Sequence, residues 1–461
     1  MIKKLLIANR GEIVRRVIRS ARDLGIETVS VYSDADKDSP HVKAADEAVH
    51  IGASPPPKSY LNINNIIEAA LQSGADAVHP GYGFLSENAQ FVKAVQENGM
   101  IFVGPSSQVL STIESKCRCR EIAHKAGVPV TPGTLKIIQH SEEIHQVFEK
   151  YGGPLLLKLD KGGGGKGIQT INHSHQIENV WEACKSIGTA AFGSSDCYAE
   201  KGVQKARHIE VQLLGDFDGN FITLGERECS IQRRYQKVIE ESPSPVVSEG
   251  ERKELHKWTV RIAREIGYQG AGTIEYLRSD DGQYYFMEIN ARIQVEHPVT
   301  ELITGIDIVR AQLEIASGKK LAIDQSHVRM DGHSIQARIY AEDPVTFQPS
   351  PGIIGKLRFP EIKKVNTRFD HALEEGQVVS PFYDPLLAKV IVWGSTRQAA
   401  IDRLFKRLSY FQIDGTNTSI PLVQMILKSD EFFKGDFHTD SLESIMAQYE
   451  YDTKNSQYRR K

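Results

Sequence analysis

Cysteine is scarce in this sequence. The five residues, Cys117, Cys119, Cys184, Cys197 and Cys229, are scattered and odd in number. Cys117 and Cys119 have no second CxxC or histidine pair at zinc-like spacing, so no structural metal site is expected and free thiols in a reducing compartment are. Charge of one sign is lacking too: 56 Lys+Arg face 59 Asp+Glu, a formal net charge of -3. That balance gives no global footprint for nucleic acid or an anionic membrane. No run approaches the roughly 18 apolar residues of a membrane-spanning helix. The apolar run at 5–8 is too short for a signal-peptide core, so a soluble, cytoplasmic protein is expected. Two nucleotide signatures are also missing. The first strand–helix turn, ANRGEI, lacks GxGxxG, and no GxxxxGK[ST] occurs.

What is present has a clear order. A chain of 461 residues suggests roughly three domains at ~150 residues each. Over residues 1–114, apolar strands such as KLLIAN and ETVSVYS alternate with helical stretches such as GEIVRRVIRSARDLG and NINNIIEAALQSG. This βαβ series predicts a doubly wound parallel sheet. From 115 to 325 the texture becomes antiparallel. HIEVQLLGDFDGNFITLGERE predicts a hairpin turning at Asp218-Gly219, and TIEYLRSDDGQYYFMEIN another turning at Asp281-Gly282. Residues 330–445 read as strand-rich with one late helix, TRQAAIDRLFKRLSYF, giving a mixed α+β unit. Residues 446–461 form a polar tail expected to fray.

Five stretches carry candidate chemistry. In LLLKLDKGGGGKGIQTI, Gly162 to Gly165 lie between two predicted strands and among Lys158, Lys161 and Lys166. Such a loop lets backbone N–H groups approach phosphate oxygens while lysines supply charge, although a plain hairpin tip has the same composition. In the second hairpin, Glu275 and Glu288 fall opposite one another, with Asn290 two residues on. Three oxygen donors on one sheet face suit Mg2+. IQRRYQKVIEE concentrates donors at Gln232, Arg233, Arg234, Gln236 and Lys237, and HPGYGFLSEN sets Tyr82 between Gly81 and Gly83. Finally, from Glu288 to Glu296 polar and apolar residues alternate without a break. Alternation alone describes any half-exposed strand.

Together ANRGEI, HPGYGFLSEN, KGGGGKG, ERECSIQRRYQKVIEE, MEINARIQVEHPVTE and PSPG occur in the order found in biotin carboxylases of the ATP-grasp superfamily, which the chain resembles over residues 1 to about 440. The resemblance implies a central ATP-grasp domain with a mobile lid over about 131–204. It implies ATP-dependent carboxylation of biotin on a carrier protein, with bicarbonate activated as carboxyphosphate. Lys116, Lys158, His208, Gln232, Tyr235 and the loop glycines Gly163, Gly164 and Gly165 would contact ATP. Glu200, Lys201 and the Val203 backbone would hold adenine. Glu275, Glu288 and Asn290 would bind Mg2+, two ions in all, with Mn2+ as a substitute. Lys237, Arg292, Gln294 and the Val295 N–H would hold bicarbonate. Glu296 would be its base, and Arg338 would steady the enolate form of biotin, with Tyr82 and Gly83 lining the biotin pocket. This chain departs from the family pattern at Tyr235 (usually His), Lys161 (usually Gly), Lys166 (usually Arg) and Glu114-Ser115 (usually Gly-Asp).

None of the six methionines precedes a lysine, so the Met-Lys pair of a biotin attachment site is absent. A carrier protein and a carboxyltransferase on separate chains are the implied partners, as in acetyl-CoA carboxylase of fatty acid biosynthesis or a related enzyme. The resemblance also implies a homodimer with Arg16, Arg19 and Arg368 as candidate interface residues. Two rivals stay open: an ATP-grasp ligase for a larger acid, and a nucleotide-binding subunit without catalysis. If the roles above hold, the polar row cannot be one straight strand, because 288–296 fully extended spans about 26 Å. A strand ending near Asn290 and a turn returning Glu296 to the metal site are therefore expected.

Overall fold

The computed structural model describes residues 1–162, 167–360 and 366–448. The expected parallel sheet is present: β1 (Lys4–Ile7), β2 (Glu27–Tyr32), β3 (Glu47–His50), β4 (Ala77–His79) and β5 (Ile101–Phe102) pair in the order β3-β2-β1-β4-β5. Leu5, Leu6 and Ile7 are all fully buried, as a parallel strand covered on both faces requires. The strand order reverses between β1 and β4, so the loops leaving these two strands meet at the sheet's switch point. There Asn9 Nδ2 donates to the carbonyls of Pro80 and Tyr82, at 2.7 Å each. Gly81 takes φ +63°, and a Cβ on it would lie 2.8 Å from Asn9 Nδ2, so the HPGYG loop needs glycine here.

Next comes a smaller unit with its own core. Strands β6 (Leu155–Leu159), β7 (Ile168–Ile171) and β8 (Cys197–Lys201) form a three-stranded sheet, covered by the helices Ser141–Tyr151 and Ile177–Phe192. The glycine loop expected to join β6 to β7, Gly163, Gly164 and Gly165 with Lys166, lies outside the described residues.

The largest sheet is antiparallel. It draws β9 (Arg207–Gly215), β10 (Phe221–Arg233), β11 (Gln236–Ser242), β12 (Gly270–Arg278) and β13 (Tyr284–Asn290) from the middle of the chain. From further on come β14 (His333–Tyr340), the two-residue strands β15 (Gly352–Ile353) and β16 (Leu357–Arg358), and β17 (Thr367–His371). These are followed by β18 (Val378–Val379), β19 (Leu386–Gly394) and β20 (Gln412–Ile413). Eight strands make one sheet in the order β13-β12-β9-β10-β11-β14-β19-β17. The gap at 325–330 between the second and third expected units is therefore bridged by β11–β14 pairing. Both expected hairpins form, with Gly219 and Gly282 in left-handed conformations at their turns. The late region holds more helix than expected. After Arg397–Ser409 come Ile420–Lys428, with Pro421 in its first turn, and Asp430–Lys434. The apolar texture of IPLVQMILK resembles a buried strand until its packing on the core of β14 and β19 fixes it as a helix. Among the described residues no helix is long and apolar enough to cross a membrane.

His79, at the end of β4, is fully buried. Its Nδ1 accepts the Gly81 N–H at 2.9 Å and its Nε2 faces Gln312 Oε1 at 3.3 Å, the pattern of a neutral ring. Burial holds its pKa down at about 4, and that of the buried His41 likewise. The unfolded chain binds protons on these rings below about 6.5 while the folded chain does not. Stability should therefore fall as pH drops from about 6.5 to 4, by up to about 1.4 kcal/mol per pH unit for each ring. Denaturation midpoints across this window should fall less steeply in His79→Gln than in the unaltered protein.

Candidate active site

The site grows on one face of the large sheet. Strand alternation sets His208, Glu210 and Gln212 on the same side of β9. Register then places Glu275 beside Glu210, Glu288 beside Glu275, and Arg227 beside Glu210. Adjacent carboxylates repel, so this face is stable only with cations among them. Lys116, Arg227 and Lys237 supply the charge, and His208 adds a hydrogen-bonding contact. Lys116 Nζ meets Glu288 at 2.6 Å, His208 Nε2 meets Glu275 at 2.6 Å, and Arg227 donates to Glu210. Lys237 Nζ reaches three carboxylates at once: Glu210 at 2.7 Å, Glu275 at 3.2 Å and Glu296 at 2.6 Å.

The polar row divides as its length requires. β13 ends at Asn290, an irregular loop follows, and Glu296 stands at the N-terminus of the helix His297–Thr304. Arg292 folds back along the loop, donating to Asn290 Oδ1 at 2.9 Å and Gln294 Oε1 at 2.8 Å. Gln294 and Asn290 both donate to Glu275 Oε1, at 3.0 and 2.8 Å. Glu296 is fully buried; Lys237 holds one carboxylate oxygen, and Arg338 donates to the other at 3.0 Å. Strand end, loop and helix start thus gather Glu275, Asn290, Arg292, Gln294, Glu296, Lys237 and Arg338 into one cluster.

Electrostatics keep the acids ionised. Burial pushes Glu275 upward, but Lys237 and His208 bring it down to about 2, and Lys116 does the same for the half-buried Glu288. Glu296 follows this pattern: burial raises it, and Lys237, Arg338 and Arg227 outweigh both that and the opposing charge of Glu210. Glu275, Glu288 and Asn290 therefore offer hard oxygen donors, two of them anionic, a set that fits Mg2+ or Mn2+. Ligand atoms of His208, Glu210 and Glu275 also lie within 4.8 Å of one another. Those of Glu210, Cys229 and Glu296 do too, but burial holds the Cys229 thiol far above its ordinary pKa and makes it a poor ligand.

Toward the smaller unit, Lys158 pairs with the buried Glu200, whose second oxygen accepts from Arg120 and Thr131, both at 2.6 Å. Lys201 turns away: its Nζ donates to the carbonyls of Tyr151, Gly152 and Gly153, and its N–H to Pro132. Of the expected adenine contacts, the Glu200 carboxylate, the Lys201 ammonium and the Lys201 N–H are thus all engaged by groups of this chain. Gln232 is buried beside Lys237, whereas Tyr235, in a left-handed turn with Arg234, is 60% exposed and lies apart from the cluster. Tyr82 donates to Glu12, and Gly83 is exposed. Of the expected interface arginines, Arg16 is buried on Glu301 and Asp307 of its own chain, at 2.6 Å each, because it faces inward from its helix. Arg368 pairs with Glu301 and Asp370, and Arg19 keeps about half its side chain exposed (49%).

Sequence reading missed Glu87, Glu210, Arg227 and Glu240. Glu87 accepts the Ala291 N–H at 2.9 Å and Arg292 Nε at 3.0 Å, while Glu240 accepts from Arg338. Alternation in HIEVQ, which sets Glu210 on the face of His208, could have found it; nothing local marked Glu87, more than 200 residues away from its partners. Lys237→Met should leave Glu210, Glu275 and Glu296 buried without their shared cation. A loss of about 3–5 kcal/mol is expected in thermal or urea denaturation. Adding Glu210→Gln should recover part of it by removing one of the three charges.

Comparison with known proteins agrees with this geometry. Family models match residues 1–110 (biotin carboxylase, N-terminal domain), 115–324 (carbamoyl-phosphate synthase L chain, ATP binding domain) and 336–444 (biotin carboxylase C-terminal domain). A biotin carboxylase of Halalkalibacterium halodurans is 46% identical over 95% of this chain and 97% of its own length. Biotin carboxylase 1 of Bacillus subtilis is 46% identical over 96% and 99%. Among solved structures, the biotin carboxylase domain dimer of Hydrogenobacter thermophilus 2-oxoglutarate carboxylase, in complex with MgADP, ADP and bicarbonate, superposes with a TM-score of 0.93 at 44% identity, covering 96% of this chain and 98% of that one. A Campylobacter jejuni biotin carboxylase in complex with β,γ-ATP gives a TM-score of 0.94 at 39% identity, covering 96% and 99%. The chain belongs to the biotin carboxylase family of ATP-dependent ligases.

Proposed function

We propose that the cluster around Glu296 carries out the first half-reaction of a biotin-dependent carboxylase, transferring a carboxyl group from bicarbonate to biotin on a carrier protein at the expense of ATP. The observation that carries this reading is a fully buried carboxylate, Glu296, between Lys237 and Arg338 and next to the Glu275–Glu288 pair. Bicarbonate is a weak nucleophile until it loses its proton, and Glu296, held ionised, is the base. Lys237, Arg292, Gln294 and the Val295 N–H hold the resulting dianion, whose oxygen attacks the γ-phosphorus of ATP as ADP leaves. Fixed cations in a water-poor site stabilise this charge far better than solvent does.

Lys116, Lys158, His208 and Gln232 line the nucleotide side, where Glu275, Glu288 and Asn290 would hold Mg2+, which neutralises phosphate charge. Carboxyphosphate then breaks down to CO2 and phosphate, the phosphate takes the ureido N–H proton of biotin, and the resulting enolate form beside Arg338 attacks CO2 through that nitrogen. Tyr82 and Gly83 border that position. The three-stranded unit with its glycine loop acts as a lid that keeps water from the labile intermediate. Separate carrier and carboxyltransferase chains complete the cycle, with the transferase deciding the final acceptor. We assign the chain to a homodimer, with the half-exposed Arg19 toward its surface, and to the cytoplasm, which suits five free, buried thiols.

Bicarbonate-dependent ADP release that free biotin stimulates is the expected result for the purified protein. Glu296→Ala should lower it by about 10²–10⁴-fold while ATP affinity stays near that of the unaltered protein. ADP release indifferent to both bicarbonate and biotin would favour an ATP-grasp ligase for another acid. Tight ATP binding with no carboxylation would mark a non-catalytic subunit.

A further inference from the structure

The loop from Ala291 to Glu296 has no regular structure, so its backbone must be held from outside. Glu87 holds one end through the Ala291 N–H. At the other end the Val295 carbonyl accepts from Lys389 Nζ at 3.1 Å. Lys389 sits in the middle of β19, within LLAKVIVWG, and its side chain is fully buried. An ammonium in an otherwise apolar strand is costly to desolvate and persists only where its partners are in place. Those partners are the Val295 carbonyl, Glu12 Oε1 at 2.9 Å and, more distantly, Asp370 Oδ2 at 3.8 Å. Asp370 is already engaged by Arg368, which leaves Glu12 as the main counter-charge.

Glu12 opens the first helix, where the N-terminal end of the dipole favours a carboxylate. Its Oε1 also accepts the Tyr82 phenol, while its buried Oε2 has no hydrogen-bond partner. A half-satisfied buried carboxylate is unfavourable by itself, and here a single oxygen gathers two donors from opposite sides. We propose that Lys389, aimed by Glu12, is a positioning residue for the bicarbonate clamp. It fixes the peptide that joins Val295 to Glu296 and ties it, through Glu12, to Tyr82. The Val295 carbonyl and Glu296 N–H share one rigid peptide plane. Fixing that oxygen therefore sets the direction in which Glu296 leaves the loop, and the backbone from which the Val295 N–H is presented. The inference rests on the reading of Glu296 and Val295 given under the proposed function.

Lys389→Met keeps the stem and removes the ammonium. With ADP release followed against each substrate, KM for bicarbonate should rise about 10- to 100-fold, as a displaced reacting group requires, with KM for ATP changing less than about twofold. Bicarbonate-independent ATP hydrolysis should stay at its original rate. Glu12→Gln keeps the shape and both acceptor contacts but weakens the hold on Lys389. It should show the same split at smaller size, and it serves if the Met variant does not fold. An unchanged KM for bicarbonate in folded variants overturns the proposal. So does a parallel decline of every kinetic parameter, or failure of both variants to fold, since either makes Lys389 structural only. If ADP release by the unaltered protein ignores bicarbonate, the reading of the site itself falls, and this proposal with it.

Discussion

A fully buried, ionised carboxylate is the constraint on which the rest of this structure depends. Glu296 has no contact with solvent, and removing such a group from water costs several kcal/mol unless cations meet it at close range. Lys237 and Arg338 do so from two different strands, and each is in turn shared with another acid, Glu210 or Glu240. The result is alternating charge across one sheet face, in which no member can be removed without exposing its neighbours to unbalanced field. That rigidity is what a site handling small anions needs. Bicarbonate offers little surface to grip, so recognition must come from charges already aimed before it arrives.

The arrangement explains the order of the eight-stranded sheet. Its carboxylates, Glu210, Glu275 and Glu288, come from β9, β12 and β13 at one end, while Arg338 and Lys389 come from the adjacent strands β14 and β19 toward the other. Pairing between β11 and β14 joins these groups into one sheet despite the long chain distance between them. The parallel sheet contributes from its switch point: Glu12 follows β1, and Tyr82 and Glu87 follow β4. Three units of the chain thus meet at a loop of only a few residues. The anchors of that loop, Glu87, Lys237 and Lys389, all lie outside the three-stranded unit.

Much of this was legible in the sequence because it is local. Hairpin turns carry Asp-Gly, the parallel unit shows its βαβ rhythm, and register follows from the turns, so the opposition of Glu275 and Glu288 could be read directly. The break in the polar row was legible only once the resemblance had given Glu288 and Glu296 roles at one site, since a fully extended 288–296 would hold them about 26 Å apart. What stayed hidden is non-local. Glu87 and Lys389 each touch the loop across more than 90 residues of chain, and each looks ordinary in place: one acid in a polar turn, one lysine interrupting an apolar strand. Arg16 misled in the opposite sense. Helical spacing set it near Arg19, but it points inward to Glu301 and only Arg19 keeps a large exposed surface.

The departures from the family pattern follow the same logic of burial. Tyr235 is mostly exposed at a hairpin tip, and Lys161, 45% exposed, pairs with the exposed Glu114 at 3.1 Å. Ser115 caps the helix Lys116–Lys125 by accepting the Arg118 N–H, while its hydroxyl donates to Asp160 at 2.9 Å, so the cap that aims Lys116 at Glu288 survives the change. Tyr235, Lys161 and Glu114 answer to solvent or to one exposed partner, and the uncharged Ser115 answers to Arg118 and Asp160. Glu296, Lys237 and Arg338 each answer to two or more buried charges, and exchanging any of them would require the others to change at the same time. Variation confined to the rim is therefore what the electrostatics of the buried cluster permits.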